Sequence, residues 1–154
     1  MNSTEKEIVY TISNSYTTLN SLTSKTKNVI FACHGMGYLS RYFLKYFKGL
    51  NSDDNYIIIP QAQSKYYIAP KMKHVGASWL TKENTLKEME NIISYFDNVL
   101  SNEKIENLNF IFLGYSQGYN KTTSSWGNAR TDVEASGSEI DANQVGETAF
   151  GDLA

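Results

Sequence analysis

Four apolar residues, Phe110-Ile111-Phe112-Leu113, run straight into Gly114-Tyr115-Ser116-Gln117-Gly118, and no other stretch restricts the fold as tightly. The run has strand composition and length. The pentapeptide is G-x-S-x-G, which on the end of a strand has the setting of a nucleophile elbow. The glycines answer a steric need: the serine takes a strained conformation at a sharp strand-to-helix turn, where side chains two residues away collide with backbone. Such a turn lifts the hydroxyl above the sheet and leaves the next backbone N–H to bind an oxyanion. A bare G-x-S-x-G also arises by chance. The plainer alternative is a buried turn with a hydrogen-bonded serine, and the strand in front of it favours the elbow.

Upstream, the pattern predicts strands at 8–12 (IVYTI) and 16–22 (YTTLNSL), joined as a hairpin near Ser13-Asn14-Ser15. Residues 28–33 (NVIFAC) form a continuous apolar run, as in a strand buried on both faces. It ends in His34-Gly35-Met36-Gly37. A helix is predicted next, with Leu39, Tyr42, Phe43, Tyr46, Phe47 and Leu50 on one face and Arg41, Lys45 and Lys48 on the other. Residues 56–59 are a second buried-type strand closed by Pro60, and 61–79 has no sustained period and reads as a long loop. Thr81 is the expected cap of a helix with Leu86, Met89, Ile92, Ile93, Phe96, Val99 and Leu100 as its apolar positions. Strand, helix, strand, helix, strand predicts an α/β fold with a mostly parallel sheet flanked by helices. Ligands gather at the carboxyl ends of such strands, where both glycine-bearing turns fall.

A chain of 154 residues suits one domain, and 41% apolar and 13% aromatic residues are globular values. The net charge of −2 gives no basic footprint for nucleic acid. The single cysteine, Cys33, excludes an internal disulfide and a cysteine-only metal cluster. No run reaches the length of a membrane span and residues 1–7 are polar, so a soluble cytoplasmic protein is expected. The composition breaks at Gly118. Residues 1–118 hold 12 basic and 10 acidic residues, whereas 119–154 hold Lys121 and Arg130 against six acidic residues. The expected organisation is therefore 1–118 as the folded part and 119–154 as an acidic, polar, irregular tail, disordered or not native to the gene.

HGMG after a buried strand (34–37), IIIPQAQ (57–63), GASWL (76–80) and GYSQG (114–118) occur in an order that resembles the phospholipase/carboxylesterase group of α/β-hydrolases, to which acyl-protein thioesterases belong. The resemblance covers roughly residues 25–118. It implies the N-terminal part of an α/β-hydrolase fold and a serine esterase that cleaves small carboxylic esters or thioesters without cofactor or metal. It implies Ser116 as nucleophile, with the backbone N–H groups of Met36 and Gln117 as oxyanion donors. His34, Gly35 and Gly37 would support the oxyanion loop, Gly114 and Gly118 would form the elbow, and 61–79, Trp79 included, would line the substrate pocket.

The chemistry asks for more than an elbow. A serine hydroxyl needs a base to take its proton and a third group to orient that base. In α/β-hydrolases the chain order is serine, acid, histidine. Here both histidines, His34 and His74, precede Ser116. Asp132 and Asp141 lie in a tail that resembles nothing in the family, so no role is carried onto them. His74, in Lys71-Met72-Lys73-His74, is either a base acting out of order or a solvated loop histidine. Cys33 and His34 point to opposite faces as strand neighbours, which makes Cys33 a small core residue. The expectation is a truncated, chimeric or frame-shifted hydrolase whose authentic reading ends near Gly118. Three classes follow: an active esterase, an inactive hydrolase fragment that binds acyl chains or a protein, and a non-enzymatic α/β module. Oligomeric state is left open.

Overall fold

Three six-residue strands lie side by side. A computed structural model describes residues 1–103 and 105–118. In it β2 (Asn28–Cys33) sits at the centre of a sheet, parallel to β6 (Asn109–Gly114) on one side and to β3 (Asn55–Pro60) on the other. A short β1 (Tyr16–Leu19) adds antiparallel to β3, giving the order β1-β3-β2-β6. This is the mostly parallel α/β architecture that the strand–helix alternation predicts.

Period two along the central strands sorts the core into two layers. Val29, Phe31 and Cys33 of β2, with Tyr56 and Ile58 of β3, meet Ile92, Phe96 and Val99 of the long helix α2 (Thr85–Glu103). Phe31 packs edge-on to Phe96 at 4.9 Å and stacks on Phe112 at 5.1 Å, while Trp79 closes on Phe96 at 5.5 Å. On the opposite face, Ile30 and Ala32 of β2 with Ile57 and Ile59 of β3 pack against Phe43 and Phe47. A continuous apolar strand is thus used on both sides, as expected of a covered parallel sheet.

Four local expectations are corrected. Residues 8–12 form no strand, and the chain before β1 runs on beyond the end of β3 instead of turning back as a hairpin. The helix expected over 39–50 is short: α1 (Ser40–Phe43) tightens into a 3-10 turn, Leu44–Phe47. Leu39, Phe43 and Phe47 keep their buried spacing of four, whereas Tyr42 and Leu50 face solvent. The supposed loop 61–79 contains an antiparallel hairpin, β4 (Ser64–Tyr67) with β5 (Val75–Ser78). Its strands are only four residues long, too short for alternation to declare itself. Thr81 does not cap α2. Its hydroxyl accepts from the Glu83 N–H and organises a turn ahead of the helix, which starts only after Asn84, held at φ 53°. The expected tail, 119–154, lies outside the described residues.

Phe96 fills the joint between α2, Phe31 and Trp79, and truncating it leaves a cavity that close-packed neighbours cannot collapse into. Phe96→Ala is expected to lower unfolding free energy by about 3–5 kcal/mol, measured by urea unfolding followed by circular dichroism. Leu86→Ala, at a site 77% exposed on the same helix, should stay within about 0.5 kcal/mol. Equal losses at the two sites would refute this packing of α2.

Candidate active site

Parallel pairing in register brings two turns together. Cys33 stands opposite Gly114, so β2 and β6 end at the same level of the sheet. Beyond them the Tyr115 N–H donates to the Cys33 carbonyl at 3.0 Å, extending the pairing into the first residue of the elbow. The Gly118 N–H returns to the Tyr115 carbonyl at 3.0 Å and closes a tight turn around Ser116, whose φ is 54°. Left-handed backbone at a non-glycine residue is sterically costly and clusters at functional sites.

Close approach accounts for two of the glycines. A Cβ at Gly118 would lie 2.5 Å from the Cys33 carbonyl oxygen and 2.8 Å from that of His34, both fixed backbone. A Cβ at Gly35 would lie 3.0 Å from the Tyr115 ring and 3.4 Å from the Ser116 Cβ, so the 34–37 turn rests directly on the elbow. Gly37 has φ 85° and its N–H donates to the Ala77 carbonyl at 2.9 Å, which ties the same turn to β5.

His34 is fully buried beneath this turn. Its Nε2 accepts the Ala62 N–H at 3.1 Å. A peptide nitrogen only donates, so the proton sits on Nδ1 and goes to the Gly35 carbonyl at 2.8 Å. The indole of Trp79 donates to the His34 carbonyl at 2.7 Å and its ring lies 5.1 Å from the imidazole. Burial pushes the His34 pKa below its ordinary 6.5, and the Gly35 hydrogen bond only partly opposes this. With both ring nitrogens engaged, His34 holds its turn and offers no lone pair to Ser116.

Met36 stands at the outer bend of the turn, 58% exposed, and its N–H makes no hydrogen bond among the described residues. Gln117 follows Ser116, and its side chain does what the motif alone does not reveal. Its Oε1 accepts the Trp79 N–H at 2.9 Å, while Nε2 donates to the Leu80 carbonyl at 2.8 Å and to the Ser78 hydroxyl at 3.1 Å. The elbow is thereby sewn to the segment after β5, across 37 to 39 residues of chain. Gly114 ends β6 opposite Cys33. Trp79, expected along a substrate pocket, has no exposed surface and sits in the core against His34 and Phe96. Tyr115, partly exposed, leans edge-on to Tyr38 at 6.5 Å and lies 6.3 Å from Phe43, so an aromatic wall flanks the serine.

His74 lies in the β4–β5 connection, exposed, with its carbonyl accepting the Ile68 N–H at 2.8 Å. No hydrogen bond joins its ring to the elbow among the described residues. Asp132 and Asp141 fall outside them. Cys33 is buried in the core, which raises its thiol pKa well above the ordinary value, as suits an unreactive packing residue. No group of three His, Cys, Asp or Glu side chains gathers at metal-binding distance, and no helix is long and apolar enough to cross a membrane, among the described residues.

No protein-family model matches the chain, and no curated protein matches it. Solved structures do. The chain is similar to acyl-protein thioesterase 2 of Zea mays with a TM-score of 0.51 and 17% identity, over 69% of this chain and 48% of that one. A phospholipase/carboxylesterase of Dyadobacter fermentans is similar with a TM-score of 0.49 and 20% identity, over 71% of this chain and 51% of that one. At this identity the first likeness is one of fold, and the fold is α/β-hydrolase-like. The chain spans about half the length of either structure.

Two outcomes follow from the packing of these turns. Gly118→Ala forces a methyl group against two backbone carbonyls and is expected to cost about 1–3 kcal/mol in urea unfolding. Full stability in that variant would mean that the elbow is looser than its geometry requires. The second concerns pH. His34 holds a proton less readily folded than unfolded, so the unfolded chain takes up the extra proton as pH falls. The His34 contribution is complete above the ordinary value of 6.5 and declines as pH drops through it toward the folded value. Between about pH 7.5 and about pH 5.5 the wild type should therefore lose stability more steeply than His34→Gln. Parallel curves would remove the buried neutral imidazole.

Proposed function

We propose that residues 1–118 carry the nucleophile-and-oxyanion half of a serine hydrolase of the carboxylesterase, phospholipase or thioesterase type, with Ser116 as acyl acceptor. The observation that carries this reading is the left-handed Ser116 at the end of a parallel strand, seated against the Gly35 turn. In such a site the Ser116 Oγ attacks the carbonyl carbon of an ester or thioester and passes its proton to a base. The tetrahedral oxyanion accepts from the N–H groups of Gln117 and Met36, and expulsion of the alcohol or thiol leaves an acyl-enzyme for water to hydrolyse. Gly35 and Gly37 let the loop approach the carbonyl, His34 holds that loop from beneath, and Gly114 and Gly118 allow the turn. The Gln117 side chain fixes the elbow against Trp79 and Leu80, which sets the direction of the neighbouring N–H. No cofactor enters this chemistry, and small acyl esters or thioesters are its substrates.

A second reading is favoured by one observation: both histidines precede the serine, and His34 has its two nitrogens occupied. On this reading the chain is a hydrolase by descent that keeps the elbow and serves as a binding module. A fluorophosphonate probe on the purified chain separates the two. The esterase reading expects covalent labelling that Ser116→Ala abolishes, with His74→Ala then testing whether that histidine supplies the base. A soluble, folded chain that refuses the probe would sink the esterase reading and leave the binding module.

A further inference from the structure

The segment before β1 is largely apolar over residues 8–12, has no regular secondary structure and is uncovered. Ile8, Val9, Tyr10 and Ile12 have exposures between 60% (Ile12) and 89% (Val9), an unusual cost for a chain with a sound core elsewhere. Their composition is that of a strand. The same molecule also presents an edge for a strand to join. Ser15 accepts the Gln61 N–H, so in the alternating antiparallel pattern Thr17 and Leu19 bond to β3. Tyr16 and Thr18 then aim their backbone N–H and C=O groups away from β3, at an edge to which no strand is added among the described residues.

The arm is kept from its own edge by the way its root is tied. Asn14 donates its side-chain amide to the Gln61 carbonyl at 2.8 Å and accepts the Ser15 N–H at 2.9 Å. The Ser15 carbonyl takes both the Gln61 N–H at 3.1 Å and the Tyr95 hydroxyl at 2.7 Å. These bonds carry the chain straight past β3 toward α2, where Glu7 meets Lys87 at 3.3 Å. Folding back over 13–15 would break this root, whereas the edge of a second molecule is reached with every anchor intact.

We propose that two copies of this chain exchange arms, residues 8–12 of each adding antiparallel to the outer edge of the other's β1. Main-chain hydrogen bonds supply the affinity, as in other strand additions. Ile8, Tyr10 and Ile12 go to one face of the enlarged sheet and Val9 to the other. Two reciprocal exchanges related by a two-fold axis occupy the β1 edge of each copy, so exchange through that edge closes at two chains. The proposal is independent of the reading of Ser116.

Sedimentation of the full-length chain over a concentration series tests it. The wild type is expected to shift from monomer to dimer, and the triple variant Ile8→Asp/Tyr10→Asp/Ile12→Asp to remain monomeric with an unchanged circular dichroism spectrum. A wild type that stays monomeric throughout, or an arm variant that dimerises as well as wild type, overturns the proposal. Cysteine placement gives a second measurement that leaves the fold alone, since the native Cys33 is buried. Val9→Cys chains mixed with Thr18→Cys chains should oxidise to a disulfide-linked heterodimer. Failure of the mixture to cross-link, or a Val9→Cys/Thr18→Cys chain that closes only within itself, also overturns it.

Discussion

The in-register parallel pairing of β2 with β6 is the constraint on which the rest depends. Because Cys33 faces Gly114, two glycine-bearing turns separated by some eighty residues of sequence leave the sheet at one level and touch. A slip of one residue would invert the side chains of β6 relative to the two core layers, and would carry Ser116 away from the Gly35 turn. Strand register therefore sets the core and the candidate site together.

Around that register the structure builds two layers of support. Beneath the turns, His34 is a neutral, buried ring whose proton donation and acceptance are both used internally. Trp79 holds it in turn through the His34 carbonyl. To the side, the amide of Gln117 takes three partners from Ser78, Trp79 and Leu80. Polar groups buried this way are stabilising only when every partner is present, and no buried side-chain nitrogen or oxygen lacks one among the described residues. The outcome is a tight turn around Ser116 held by hydrogen bonds from beneath and from the side.

The same economy of partners makes the ends of the structure distinctive. A histidine next to the elbow would serve acyl transfer if one nitrogen were open, yet His34 is committed to Gly35 and Ala62. The arm before β1 shows the reverse case, with the strand-forming residues Ile8, Val9, Tyr10 and Ile12 exposed among the described residues.

Much of this was legible in the residues. NVIFAC and YIII declare buried strands because a continuous apolar run fits a sheet covered on both faces, and FIFL declares a strand that the folded chain leaves only partly buried. The spacing of Ile92, Phe96 and Val99 declares a helix because 3.6-residue periodicity sorts a chain into faces. G-x-S-x-G and the glycines of 34–37 mark turns, where Gly118 and Gly35 allow close approach and Gly37 takes left-handed backbone. Tertiary structure decided what local pattern cannot encode. The hairpin within 61–79 exists because Gly76 packs on Gly37 and the Ala77 carbonyl receives the Gly37 N–H. The late start of α2 follows from the turn that Thr81 and Glu88 close between them. The burial of Trp79, the wiring of Gln117 and the outward course of 8–12 likewise rest on bonds spanning 37 to 80 residues. Periodicity reports how a segment meets its surroundings, and only the folded chain determines which distant groups those surroundings are.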